Sequence, residues 1–181
     1  MALSYPDPEL TDGTVRLRRW SEGDLACIEE AASDPRIPSD TTVPAVFSIE
    51  EGRAFVRRQW SRVEQGEGLS LAIADATTDE ALGRAVLTLR PQAGVAGIGY
   101  WIIPRARGRG LASKAVRLLS SWALKCAGVA RVEAWSEPGN VSSQRALASA
   151  GFTREGVLRS FLSYEDRRAD AIVFSRTSDD I

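Results

Sequence analysis

The segment Arg105-Ala106-Arg107-Gly108-Arg109-Gly110-Leu111-Ala112 constrains the fold of this chain more than any other stretch. Three cationic side chains and two glycines stand between an apolar run, Ile98 to Ile103 closed by Pro104, and an amphipathic stretch that begins at Leu111. A strand, a glycine-rich turn and a helix in that order aim successive backbone N–H groups at one point. The partial positive charge of a helix N-terminus adds to that field, so a phosphate or pyrophosphate is the natural guest. The bland alternative is a basic turn whose glycines only let strand and helix pack closely.

The chain has 181 residues, enough for one domain with a substantial core and too few for two ordinary ones, so residues 1–181 are read as a single domain. Hydrophobic content of 44% and charged content of 26% fit a soluble globular protein. A formal net charge of −1 argues against general attraction to nucleic acid or to anionic membrane. The Arg105–Arg109 cluster is therefore a local feature. No apolar segment approaches the roughly 20 residues that span a bilayer. Met1 to Leu10 holds two prolines and two acids where a signal peptide needs an apolar core. Cytoplasmic residence is the expectation. Cys27 and Cys126 show no metal or redox spacing and read as two reduced core thiols. The absence of histidine excludes Ser-His and Cys-His nucleophilic machinery and His-containing metal sites, and no metal is expected.

Thr14 to Arg18 alternates and reads as a strand. Ser21 with Asp24 caps a helix through about Ala32, and Asp34 to Pro44 reads as a long loop at a functional edge. Ser48 with Glu51 opens a second helix, ended by Gln65 to Gly68. Leu69–Ala74, Leu82–Leu89 and Val95–Ile103 are strands. The helix from Gly108 to about Ala127 places Leu111, Ala115, Leu118, Leu119, Trp122 and Cys126 on one stripe, with Lys114, Arg117 and Ser121 opposite. Val129–Trp135 is a strand, Asn140–Ala150 a helix, and Phe152–Leu162 and Asp170–Arg176 a final strand pair. This order fits a mixed α/β sheet of about seven strands flanked by about four helices, and neither a doubly wound dinucleotide fold nor a barrel.

Two nucleotide-binding signatures fail on inspection. A P-loop needs a Lys-Ser/Thr pair that is missing here, and a Rossmann fingerprint needs a third glycine. The flanks point elsewhere. Gly99-Tyr100-Trp101-Ile102-Ile103-Pro104 followed by Arg105-x-x-Gly108-x-Gly110-Leu111-Ala112 resembles motif A of the GCN5-related N-acetyltransferases. Asn140-Val141-x-Ser143, Gly151-Phe152 and Glu155-Gly156-x-Leu158-Arg159 resemble the RimJ/RimL-type branch, the ribosomal-protein N-terminal acetyltransferases. Leu17-Arg18-x-Trp20 with Gly23-Asp24 fits that branch too. The resemblance runs from about residue 14 to 176.

The resemblance implies an acyl-CoA N-acyltransferase fold that binds acetyl-coenzyme A. Its fourth and fifth strands, here Val95–Ile103 and Val129–Trp135, would splay around the pantetheine arm. Backbone groups of Ile102 and Ile103 would pair with that arm, and after Arg105 the N–H groups of Arg107, Gly108, Arg109, Gly110, Leu111 and Ala112 would hold the pyrophosphate. Asn140 and Ser143 would reach the thioester end. Plain helix capping is the alternative for Asn140, and Ser143 is the candidate hydrogen bond to the sulfur, again with capping as its alternative. Three familiar acid–base positions of the family are occupied by Gly97, Leu147 and Leu162, none of them ionisable. Glu133, Asp40, Glu165 and Asp166 remain for a water-relayed base, with solvated surface carboxylates as the alternative. Tyr100 and Trp101 read as packing, and Tyr164 as a residue at the acceptor mouth. The Asp34–Pro44 segment and the Ser163–Arg168 turn would frame the acceptor.

An α-amine of pKa ~7.7–8.0 is roughly a third neutral near pH 7.5, whereas a lysine at ~10.4 is about 0.1% neutral. The gap of about 2.5 units, roughly 3.4 kcal/mol, is what a base would have to supply. An enzyme without a dedicated base therefore favours a peptide or protein N-terminus, or a small amine of low pKa. A small-molecule amine such as an antibiotic or polyamine is the second acceptor class, and a non-catalytic coenzyme A-binding module is the rival of another kind. Either reading admits a homodimer.

Overall fold

The computed structural model describes residues 3–164 and 166–181. Two short strands, Leu10–Thr11 (β1) and Val15–Arg18 (β2), precede three helices, Leu25–Ser33 (α1), Arg36–Asp40 (α2) and Ile49–Glu64 (α3). The strands Gly68–Asp75 (β3), Ala81–Leu89 (β4) and Val95–Ile102 (β5) follow. Helix Leu111–Cys126 (α4), strand Arg131–Ser136 (β6), helix Val141–Ser149 (α5) and the pair Thr153–Ser163 (β7) and Arg168–Thr177 (β8) complete the order. All eight strands form one mixed sheet, ordered β1-β2-β3-β4-β5-β6-β8-β7. Every pairing is antiparallel except β5 with β6. The mixed α/β architecture stands as expected, with one strand and one helix beyond the expected numbers.

Local chemistry explains the helix starts. Ser21 accepts from Gly23 N at 3.2 Å, and the Asp24 carboxylate accepts from Ser21 N at 2.8 Å, closing a capping box over a 3₁₀ turn that runs into α1. Ser48 accepts from Glu51 N at 3.1 Å and starts α3. The expected loop Asp34–Pro44 instead contains α2. Asp34 Oδ1 accepts from Arg36 N at 2.8 Å and Ile37 N at 3.3 Å, and Pro38 sits in the first turn, where a proline displaces no helical bond.

Helices cover the two faces of the sheet differently. On one face Trp20 stacks edge-on to Phe55 at 5.3 Å and lies 6.1 Å from Trp101, under α3. On the other face α4 buries Leu111, Ala115, Val116, Leu119, Ser120 and Ala123. That surface is rotated from the expected stripe, and Cys126 is exposed rather than a core thiol. The buried Ser120 hydroxyl has a partner in Arg176, from β8, which donates to its Oγ at 2.9 Å. Among the described residues no helix is long and apolar enough to cross a membrane.

Candidate active site

The sheet opens in its middle. β5 and β6 share only the register Val95↔Arg131, Ala96↔Val132 and Gly97↔Glu133. Beyond Gly97, β5 stays with β4 as far as Gly83↔Ile102, while β6 follows β8 as far as Ser136↔Ile172. Ile103 N donates to Leu82 O at 3.0 Å, so the odd-numbered residues of this strand direct their backbone groups to β4. The backbone groups of Ile98, Tyr100 and Ile102 therefore face the gap. Ile103 does not fit the expected pairing with a pantetheine arm: its N–H is engaged by Leu82 and its carbonyl accepts from Ala106 N at 3.0 Å. Ile102 faces the gap as expected, although its carbonyl accepts from Arg107 Nε at 3.0 Å.

The basic turn ends at a bare helix terminus. Gly108 at φ +76° and Gly110 at φ +73° take the left-handed conformation that glycine adopts without strain. The helix begins at Leu111, and its first backbone bond is from Lys114 N to Gly110 O. The N–H groups of Gly108, Arg109, Gly110, Leu111, Ala112 and Ser113 donate to no described residue. A Cβ at Gly108 would meet nothing within 4 Å. The cradle is open, as a pyrophosphate requires. Arg107 N is excluded from it by a bond to Pro104 O at 3.2 Å.

The side chains of this turn behave differently from its backbone. Arg105 is held by Glu30 and Glu80, each at 2.7 Å, and Arg107 by Asp34 at 2.7 Å. Arg109 is half-exposed and reaches Asp75 only at 3.7 Å. Two of the three cations thus fasten the turn to the α1–α2 region, and Arg109 alone is free to meet a phosphate. Replacing Gly110 with Ala forces an L-residue into the left-handed region, at a cost of about 1–2 kcal/mol. If the free loop relaxes out of that conformation, ligand binding must restore it, so the coenzyme A dissociation constant rises about tenfold, measurable by calorimetry.

A cavity of about 340 Å³ occupies the gap. Tyr100 and Ile98 of β5, Ala134 and Trp135 of β6, and Asn140, Ser143 and Leu147 around α5 line it, together with Asp40, Thr41 and Thr42 at its outer end. Asn140 is the N-cap of α5, its Oδ1 accepting from Ser143 N at 3.1 Å and Ser142 Oγ at 3.0 Å, and it also lines the cavity. The Ser143 side chain makes no cap: its Oγ lies 2.9 Å from the Tyr100 hydroxyl, which is also 3.1 Å from the Ser143 carbonyl. Burial raises the Tyr100 phenol above its ordinary range, against a smaller lowering by the Ser143 hydrogen bond. The phenol therefore keeps its proton. Tyr100 is thus more than packing, and strand alternation, which puts it on the opposite face from Trp101, was the one sequence signal pointing to it.

The three non-ionisable positions have distinct surroundings. Leu147 is fully buried at the cavity wall, within the same lining as Tyr100. Leu162 pairs with Ala169 in the last hairpin. At Gly97, a Cβ would approach Arg90 Nη2 to 2.5 Å. That guanidinium stacks on Trp135 at 4.0 Å and pairs with Glu133 at 3.3 Å. Glu133 also pairs with Arg131 at 3.6 Å and is committed to two arginines rather than open to an amine. Asp166 is exposed, and Glu165 lies outside the described residues. Among the described residues Asp40 is the one carboxylate in the cavity lining, exposed and bonded to Ser39 Oγ at 2.9 Å. Tyr164 is pushed up to about 12, first by desolvation and then by its hydrogen bond to Glu137 and the charges of Glu137 and Asp40. The last hairpin borders the cavity through Phe161, whose ring stands edge-on to Trp135 at 4.7 Å.

A splayed parallel pair, an open amide cradle at the following helix and a cavity between them define an acyl-coenzyme A-dependent acetyltransferase fold. Residues 14–153 match the model of the acetyltransferase (GNAT) domain, and the chain belongs to that family. It is similar to the uncharacterized N-acetyltransferase p20 of Bacillus licheniformis, 28% identical over 90% of each chain. Among solved structures, Mycobacterium smegmatis RimJ in complex with CoA-disulfide superposes with a TM-score of 0.78 at 20% identity, covering 96% of this chain and 87% of that one. RimL, a ribosomal L7/L12 alpha-N-protein acetyltransferase in complex with coenzyme A, gives 0.75 at 20% identity, covering 93% and 96%. At that identity the two structures share the fold. The protein is an N-acetyltransferase.

Proposed function

We propose that this N-acetyltransferase acetylates an N-terminal α-amine of a protein or peptide, with small amines of low pKa as the second class. The observation that carries the reading is the scarcity of carboxylates: among the described residues, Asp40, exposed at the mouth, is the only one lining the cavity. With no buried base to remove a proton, the acceptor must arrive largely neutral, and an α-amine does so while a lysine does not. RimL, which shares the fold, is by its name an alpha-N-protein acetyltransferase.

In this proposal the open amides from Gly108 to Ser113 hold the pyrophosphate of acetyl-coenzyme A, with Arg109 beside them. Backbone groups of Tyr100 and Ile102 meet the arm in the gap, and Asn140 and Ser143 stand at its end. The bound coenzyme supplies the acetyl group as a thioester. The amine nitrogen forms a bond to the acetyl carbon as the carbon–sulfur bond breaks, and the amine gives up one proton while the departing thiolate gains one. Tyr100, protonated and hydrogen-bonded to Ser143, is placed to provide that second proton directly or through the Ser143 hydroxyl. Asp40 at the mouth receives the first through solvent.

Thiol release from acetyl-coenzyme A, followed with peptides that carry either a free N-terminus or a blocked N-terminus and one lysine, tests the acceptor class. The expected kcat/KM ratio is about 100-fold in favour of the α-amine at pH 7.5, within the roughly 3.4 kcal/mol that separates the two amines. Equal rates, or a preference for lysine, would refute the reading.

A further inference from the structure

Arg84 of β4 stands directly across from Trp101 of β5, on the sheet face that carries Phe55 and Trp20. It is 6% exposed. Its Nε donates to Ser70 Oγ at 2.9 Å, and its terminal nitrogens donate to no described residue. Its guanidinium lies 6.0 Å over the Phe55 ring. Among the described residues no carboxylate compensates it: burial pushes its ionisation down, and the charge acting on it is that of Arg62, a like charge. An uncompensated buried cation is among the most costly features a fold can carry, so its retention points to a partner that arrives from outside.

The cavity is where that partner would arrive, because Arg84 lines it. Trp101 lines it as well, and its indole N–H is buried without a partner among the described residues. Guanidinium and indole are donors only. What is missing between them is an acceptor, and the charge makes it an anion. Arg84 and Trp101 lie on the opposite face of β5 from Tyr100, whose hydroxyl reaches α5. The pyrophosphate cradle sits beyond Ile103 at the start of α4. The anion therefore belongs to the molecule that enters past Asp40 and Thr42, which is the acceptor.

We propose that the acceptor is an anionic amine, a primary amine bearing a carboxylate or phosphate a few bonds away, and that Arg84, with the Trp101 N–H, receives that oxyanion. This rests on the acetyl-transfer reading above. A cavity of about 340 Å³ is at the small end of ligand sites, so the amine and its anion occupy it and any remaining peptide lies outside. The same chemistry arises from an acidic first side chain on a peptide or from the free carboxylate or phosphate of a small amine.

Matched acceptors of similar amine pKa, tested by thiol release, separate these sources: Glu- against Gln-initiated tripeptide amides, glutamate 1-amide against glutamine amide, and phosphoserine amide against serine amide. In the wild type the anionic member of at least one pair exceeds its neutral partner about 50-fold in kcat/KM, the range of a hydrogen bond to a charged group. The pair that shows the ratio names the source. In Arg84→Met the ratio falls to within threefold of one, and the melting temperature rises by a few degrees because a buried charge has been removed. Ratios near one for every pair in the wild type, or a ratio undiminished in Arg84→Met, overturn the proposal. If no acceptor at all releases thiol, the acetyl-transfer reading fails separately, and calorimetry on the coenzyme A-loaded protein then decides. Binding of glutamate or inorganic phosphate that Arg84→Met abolishes supports the subsite, and absent or unchanged binding overturns it.

Discussion

Tyr100→Phe lowers kcat about 100-fold while leaving the coenzyme A dissociation constant within threefold of the wild type. The size follows from the contribution of a positioned general acid, typically 10²–10⁴-fold. Leu147, at the position where many relatives carry the tyrosine that protonates the thiolate, is buried in the cavity wall and cannot act. Tyr100 reaches the same cavity from β5, protonated by burial and 2.9 Å from Ser143 Oγ. Tyr100 and Leu147 line the same cavity, and in the proposed reaction the hydroxyl comes from β5 rather than α5. Ser143→Ala gives a smaller loss, and the double variant is no slower than Tyr100→Phe alone, because two groups in one relay are not additive. Steady-state kinetics with saturating acceptor check this. A kcat within threefold of the wild type for Tyr100→Phe would remove the residue from the chemistry.

Asp24→Ala destabilises the fold by about 3 kcal/mol, the low end of what breaking a buried ion pair costs. Asp24 is buried, meets Arg18 Nη1 and Nη2 at 2.9 and 2.8 Å, and accepts from Ser21 N at 2.8 Å. Its removal leaves the nearly buried Arg18 guanidinium with Asp79 at 3.0 Å, a largely exposed partner, and opens the capping box that starts α1. Asp79 moderates the loss, which is why the low end applies. For a chain of this length the melting temperature falls by about 6–12 °C. Asp24→Asn retains the cap acceptor and loses less. A fall below 2 °C by calorimetry for the alanine variant would mean that Asp79 alone holds Arg18.

Sequence reached the elements whose causes are local. Both signals are written within four residues: the Ser21–Asp24 box forms as read, and Ser48 caps its helix by accepting from Glu51 N without the return bond of a full box. The positive φ of Gly108 and Gly110 follows from the strand–turn–helix order. What escaped depends on partners far along the chain. Leu10–Thr11 is a strand only because Val15–Arg18 and the sheet behind it pair with it. Ser120 lies on the buried face of α4, where Arg176 reaches its hydroxyl from the last strand. The basic turn was read as a cluster of phosphate-seeking cations, yet Glu30 and Asp34, more than 70 residues earlier, engage Arg105 and Arg107. The α2 helix is a local miss: the Asp34-Pro35 start was in view, but two prolines in five residues weighed toward a loop. For the site, the cofactor side was legible because backbone conformation carries it. The surroundings of Gly97 and Leu147 were not, since Arg90 fills the space beside Gly97 and Tyr100 reaches across to α5, both through contacts between distant elements.

The seam between β5 and β6 has a thermodynamic corollary. Only three residue pairs join the two halves of the sheet there, and the strand groups of Tyr100 and the N–H of Ile102 are left to whatever enters. A guest that bonds to them is part of the fold as much as a substrate. Stability then becomes a function of metabolite concentration, gaining about 2.7 kcal/mol at one hundred times the dissociation constant. Such a protein is most resistant to unfolding when its acetyl donor is abundant and most vulnerable when the donor is scarce, so that its lifetime in a cell follows the supply of the molecule it consumes.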